Sequence, residues 1–227
     1  MRYTTLLLDA DNTLFDFDRA EHTAILNTLS AFGYPHEEAI AVRYHDINLS
    51  LWKQLERGEV VKSQLIYLRF ARLFEALGIE GDPIAFNEQY VVQLGKGHDL
   101  LPHALSVCQA LADTHALYII TNGTLAVQTA RFAASPITPL FRDIFISEQV
   151  GAPKPSPAFF AYVTDHIDNF DAARTLVVGD SLSSDIRGGV EAGLDTCWFN
   201  SKHAANHSGL TPTYEIDDLR LLPELVG

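Results

Sequence analysis

The chain has 227 residues, 47% of them hydrophobic and 20% charged, enough for one large domain or a domain carrying an insertion. With 16 basic against 29 acidic residues its formal charge is −13, and without a basic stripe to displace counterions nucleic acid is excluded as an expected partner. Cys108 and Cys197 are the only cysteines and have no CxxC or Cys/His metal spacing, so the expected setting is a reducing cytoplasm without disulfides.

Leu6-Leu7-Leu8 is too short for a signal-peptide core or a membrane span, and no later apolar run is long enough. It predicts a buried parallel strand that delivers Asp9 at its carboxyl end. From 16 to 96 helix signals follow one another with no convincing strand, which predicts a helical insertion between a core built from 1–15 and 97–227. Asp18 and Glu21 have capping-box spacing and open a helix carrying Ile25, Leu26, Leu29 and Phe32 up to Gly33. A second helix is expected from about Glu37 to Arg57, a third over Lys62 to Leu77, and a fourth after Asp82-Pro83, ending near Gly95. Beyond the insertion, apolar runs Ala116 to Ile120, Ile144 to Ile146, Leu176 to Val178 and Cys197 to Phe199 predict strands. They alternate with helical patterns at Ala104 to Leu111, Leu125 to Phe132, Pro157 to Ile167 and Ser184 to Ala192. Such alternation reads as a doubly wound, Rossmann-like α/β sheet with parallel strands, whose ligand crevice lies at the strands' carboxyl ends.

The residues that suit chemistry fall at those ends. Asp9 and Asp11 lie two apart after the first strand, where one carboxylate can attack and the other move protons; an acidic surface turn is the bland reading of the same pair. Thr121 offers a hydroxyl, and Asn122 with Gly123 offers backbone N–H groups for phosphate oxygens, although Asn-Gly is also a common turn. Lys154 sits between Pro153 and Pro155, which suits a fixed point charge as well as an exposed lysine in a stiff loop. Gly179-Asp180 with Asp185 adds carboxylate to the same rim, a crowding that a hard divalent cation such as Mg²⁺ would relieve; Asp185 could instead cap a helix.

Taken in order, Asp9-Ala10-Asp11-Asn12-Thr13, Thr121, Lys154 in its proline loop and Gly179-Asp180 with Asp185 resemble the motifs of the haloacid-dehalogenase superfamily, from Asp9 to Asn200. The resemblance implies that Asp9 is nucleophile and magnesium ligand. Asp11 is implied as general acid/base and as ligand through its carbonyl, and Asp180 as third ligand, with Mn²⁺ or Co²⁺ able to replace Mg²⁺. Thr121, Asn122 and Lys154 would hold phosphate, Asp185 would orient the metal's waters or Lys154, and the helical insertion would be the cap. The strings Asp9 to Phe17, Ser147-Glu148-Gln149-Val150-Gly151 and Gly193 to Asn200 are similar to house-cleaning pyrimidine 5′-nucleotidases, with Asn12 standing where that family often has Glu. The resemblance therefore implies hydrolysis of small nucleotides such as UMP, dUMP and dTMP; a monomer or weak homodimer away from membranes is expected.

Other readings are a sugar-phosphate or small-metabolite phosphatase, or a phosphomutase. Dehalogenation is disfavoured because it leaves Asp11 without a task. Phe15 and Phe17 border the first motif and are candidates to face a substrate, whereas Tyr44, Trp52, Tyr67 and Phe70 are expected in the insertion's own core. His203 and His207 are expected to be solvated, and both cysteines to be inert core thiols.

Overall fold

The computed structural model describes residues 2–227. Six parallel strands, β1 (Thr5–Leu8), β2 (Ala116–Thr121), β3 (Asp143–Ile146), β4 (Thr175–Gly179), β5 (Asp195–Phe199) and β6 (Tyr214–Ile216), form one sheet in the order β3-β2-β1-β4-β5-β6. β1 is central, with Leu8 in register between Ile119 and Val178. The strand order reverses beside β1, and this switch point is where an open α/β sheet leaves its crevice.

All four residues of β1 are buried, as a strand covered on both faces requires. Leu6 and Leu8 point into one apolar cluster with α5 (Ala104–Ala112), Phe132 of α6 (Leu125–Ala134) and α10 (Leu222–Val226). Leu7 points the other way, toward Phe159, Phe160 and Val163 of α8 (Pro157–Asp165). A short helix, α7 (Ser147–Val150), follows β3, and a π-helical stretch Leu182–Ile186 runs into α9 (Arg187–Glu191).

Between β1 and α5 lie α1 (Phe17–Ala31), α2 (Glu38–Glu56), α3 (Lys62–Leu77) and α4 (Pro83–Leu94). They bury a separate apolar cluster in which Tyr44 stacks on Phe70 at 5.4 Å and Phe70 meets Phe86 edge-on at 4.9 Å. Truncating a buried aromatic such as Phe70 to alanine costs about 3–5 kcal/mol, so this cluster is the main glue of the four helices. Asp82 caps α4 by accepting from the Ile84 N–H, and Gly78 ends α3 in the left-handed conformation that glycine adopts without strain.

Three local expectations need correction. The cap of α1 is Asp16, which accepts from the Arg19 N–H; Asp18 is already in the first turn, its own N–H held by Asn12, and Glu21 is buried rather than closing a capping box. The segment expected as a helix from Ser184 begins at Leu182 with π geometry, a rare form that recurs at functional sites. β6 had no visible signal, because three residues after a long polar loop are too few to show alternation. Among the described residues, no helix is long and apolar enough to cross a membrane.

Candidate active site

The turn after β1 is built by its own backbone. Ala10 C=O accepts from the N–H groups of both Leu14 and Phe15, and Asn12 takes φ 60°, a left-handed conformation that Asn tolerates better than most residues. The chain thereby reverses within one turn and leaves the side chains of Asp9 and Asp11 at the sheet's carboxyl edge. Thr13, fully buried, donates to Asp9 Oδ2 at 3.2 Å and accepts from the Asp180 N–H at 3.1 Å, tying the ends of β1 and β4 together. Trp198 of β5 donates to the Asp180 carbonyl at 2.8 Å and fixes the same loop from the other side.

Lys154 is 1% exposed, and its ammonium group donates to Asp9 Oδ1 at 2.6 Å, Asp185 Oδ1 at 2.7 Å and the Ile120 carbonyl at 2.7 Å. Burial opposes its charge, but Asp185 and Asp9 outweigh burial and hold its pKa above the usual lysine value. All three ammonium protons are therefore engaged, and contact with a phosphate oxygen requires one to be shared. The loop carrying Lys154 is braced by the Asn122 side chain, which donates to the Lys154 carbonyl at 2.9 Å and accepts from its N–H at 2.8 Å. Asn122 thus spends its amide on Lys154, so what this turn has left to offer a ligand is its backbone. Thr121 is the complementary case. Its hydroxyl already accepts from the Gly123 N–H at 3.0 Å and from Gln128 Nε2 at 2.9 Å, so what it has left to offer a ligand is its O–H donor.

Asp185 is no helix cap. Its second oxygen accepts from the Ser181 N–H at 3.1 Å, and it packs so closely under β4 that a Cβ on Gly179 would stand 2.3 Å from its carboxyl carbon. Carboxylate oxygens of Asp9, Asp180 and Asp185 lie within 4.8 Å of one another. Burial raises Asp9 to about 7 against the pull of Lys154, with Asp185 and Asp11 adding to the rise, and burial likewise lifts Asp180 well above the usual carboxylate range. One lysine does not neutralise this cluster. A hard divalent cation fits it, because the donors are all oxygens and Asp180 has no cationic side chain as a partner among the described residues.

These groups floor a cavity of about 280 Å³, near the lower end for small-molecule sites. Its opposite wall comes from α1 to α3, with Phe17, Glu21, His45, Asn48, Trp52 and Arg69. Of the two aromatic candidates only Phe17 is there. Phe15 is fully buried, edge-on to Phe132 at 5.1 Å and beneath the Arg131 guanidinium at 4.5 Å, so its expected substrate-facing position is not met. Its backbone explains why, since pairing with Asp11 and Leu100 turns the ring toward the core. Trp52, expected in the interior of the insertion, lines the cavity instead. His203 and His207 join no cluster of metal-ligating side chains among the described residues, and both cysteines are buried with pKa values pushed up by burial to about 12.

Several groups in and beside the cavity were given no role in the site by the sequence. Glu21 is 3% exposed and is held by His45 Nδ1 at 2.5 Å and Asn48 Nδ2 at 2.6 Å. Glu148 accepts from the Leu125 N–H at the start of α6 and pairs with Lys62 at 3.0 Å, which gives the Ser147-to-Gly151 string a physical role. Lys62 also donates to the carbonyls of Asn122 and Gly123 at 2.9 and 3.1 Å, joining α3 to the turn after β2.

A sheet with these carboxylates at its switch point defines a hydrolase class, and the sequence model of haloacid dehalogenase-like hydrolases matches residues 3–193. The chain belongs to that family. It is 39% identical to the pyrimidine 5′-nucleotidase PynA of Streptococcus pneumoniae, over 95% of this chain and 92% of the relative. It is 33% identical to the pyrimidine 5′-nucleotidase YjjG of Escherichia coli, over 100% and 99%. The structure of the HAD-hydrolase YfnB from Bacillus subtilis, described as bound to magnesium and as revealing interdomain movement, superposes with a TM-score of 0.96 at 37% identity and covers both chains completely.

Proposed function

We propose that the chain hydrolyses phosphomonoesters through a phosphorylated Asp9, with Mg²⁺ held by Asp9, Asp180 and the Asp11 carbonyl, and that pyrimidine nucleoside 5′-monophosphates are its preferred substrates. The observation that carries the reading is the pairing of two unlike carboxylates at one strand end. Asp9 is buried against Lys154, whereas Asp11 keeps 23% of its side chain exposed beside the same cavity. An Asp9 oxygen attacks phosphorus as the bond to the leaving oxygen breaks, and Asp11 gives that oxygen its proton. Water then attacks the acyl phosphate, Asp11 takes the water's proton, and inorganic phosphate leaves with Asp9 restored. Bound Mg²⁺ supplies charge neutralisation between the acidic cluster and the phosphate. Lys154 holds Asp9 and Asp185 in place, and Thr121 contributes its hydroxyl proton to a phosphate oxygen.

Helices α1 to α4, within 16–96, act in this reading as the cap that shelters the leaving group. The two pyrimidine nucleotidase relatives, aligned over almost the whole chain, support the choice of substrate. The expected result is a kcat/KM for UMP and dTMP at least about tenfold above AMP, glucose 6-phosphate and phosphoglycolate, with no phosphate release after chelation and recovery on adding Mg²⁺, Mn²⁺ or Co²⁺. Equal rates across that panel would refute the nucleotide preference, and full activity after exhaustive chelation would refute the metal.

A further inference from the structure

Asp11 is not free in its turn. Its Oδ2 accepts from Gln128 Nε2 at 2.8 Å, and its Oδ1 is paired with Arg131 Nη1. Both partners stand on α6, three residues apart and hence on one helix face, and both are 0% exposed. They are also joined to each other, Arg131 Nη1 donating to Gln128 Oε1 at 3.2 Å. Arg131 is anchored independently of Asp11 by donation from Nε to the Gly97 carbonyl at 2.6 Å and by its seat over the Phe15 ring. Gln128 Nε2 divides its two protons between Asp11 and the Thr121 hydroxyl. One amide thereby fixes the distance between the second carboxylate and the hydroxyl offered to phosphate.

The surroundings are shaped to admit this pair. A Cβ on Gly123 would stand 2.2 Å from Gln128 Nε2 and 2.7 Å from its Cγ, so any other residue in that turn would displace the amide. A buried guanidinium is also a costly way to fill space, since apolar side chains of similar volume pack as well or better. Its retention against a single carboxylate calls for a role beyond packing.

We infer that Gln128 and Arg131 are positioning residues, a two-pronged fork on α6 that aims the Asp11 carboxylate at the leaving oxygen and locks it in register with the Thr121 phosphate contact. The fork uses two of the roughly four acceptor positions of a carboxylate, leaving the others for the reacting proton. This rests on the reading of Asp11 as general acid/base. Loss of the fork should therefore matter most when the leaving group most needs a proton.

The test compares UMP, whose leaving alkoxide is poor, with p-nitrophenyl phosphate, whose leaving phenolate is good, at saturating Mg²⁺. Gln128→Met keeps the side chain's shape without its polar ends, and Arg131→Lys keeps the charge without the planar geometry. Each is expected to lower kcat on UMP by at least about tenfold and on p-nitrophenyl phosphate by less than about threefold, with KM for the latter unaltered. Should one variant fail to fold, the other carries the same comparison. Equal losses on both substrates, or no loss on either, would overturn the fork. Asp11→Asn measured alongside separates the two levels. If it shows no dependence on leaving group, the acid/base reading itself falls; if it does while the fork variants do not, only the fork falls.

Discussion

The two walls of the cavity are finished differently. On the sheet side nearly every polar atom has a partner: Lys154 uses all three protons, Thr121 both acceptor positions, and Asn122 both ends of its amide. Among the fully buried side-chain atoms of that wall one Arg131 nitrogen has no partner within the described residues, and the bonds of Asp180 run through its backbone rather than its carboxylate. On the helical side Asn48 Oδ1 and Arg69 Nε are buried without partners among the described residues, and the two residues are only 2% and 3% exposed. Leaving such an atom unpaired costs about 1–3 kcal/mol, a cost that a polar ligand or a shift of the helices would relieve. In the proposed mechanism chemistry would be held by a preorganised surface, and selection of the leaving group left to one that still has bonds to make.

The strongest way to break this contrast is to disable the sheet side. Asp9→Asn should leave the fold intact and reduce turnover at least about a thousandfold, because an amide is a poor nucleophile. Retention of more than about a tenth of the activity in folded protein would remove Asp9 from the mechanism.

Lys154→Met tests preorganisation directly, since it strands two buried carboxylates. A loss of about 3 kcal/mol in unfolding free energy is expected in metal-free buffer, partly restored by Mg²⁺ and read by denaturant titration. Unaltered stability would mean that Asp9 and Asp185 do not depend on their lysine.

Asn48, on the helical side, should respond by substrate rather than by stability or chemistry. Asn48→Leu is expected to lower kcat/KM for UMP about tenfold and that for p-nitrophenyl phosphate less than about twofold. A matching fall on both would place Asn48 with the catalytic wall.

The smallest effect concerns His45, whose side chain is 42% exposed and whose pKa is raised chiefly by its hydrogen bond to Glu21. Because the folded value lies above the unfolded one, its stabilisation is complete below about pH 6.5 and is lost as pH rises through the folded value. The Tm difference between wild type and His45→Gln should accordingly shrink from about pH 5.5 to about pH 9. A difference independent of pH would show that the Glu21 contact does not use the imidazolium charge.

What sequence alone determined here is what short-range pattern controls. The α3 boundaries Lys62–Leu77, the Asp82 cap and five of the six strands follow from periodicity and turn chemistry, which act over a few residues. The order of acidic, threonine and lysine motifs along those strand ends was legible for the same reason, because a parallel sheet brings all its carboxyl ends to one edge. Tertiary structure decided the rest. Gln128 reaches Asp11 across 117 residues and Arg131 across 120, and neither α6 side chain differs locally from any polar residue on a helix. Phe15 and Phe17 lie two apart in the same motif, yet pairing of Phe15 with Leu100 sends one ring into the core while the other lines the cavity. Glu21 reads as a capping residue until α2 packs against α1 and brings His45 and Asn48 to it. Such convergence is set by register and helix packing between distant segments, and no local pattern of residues encodes it.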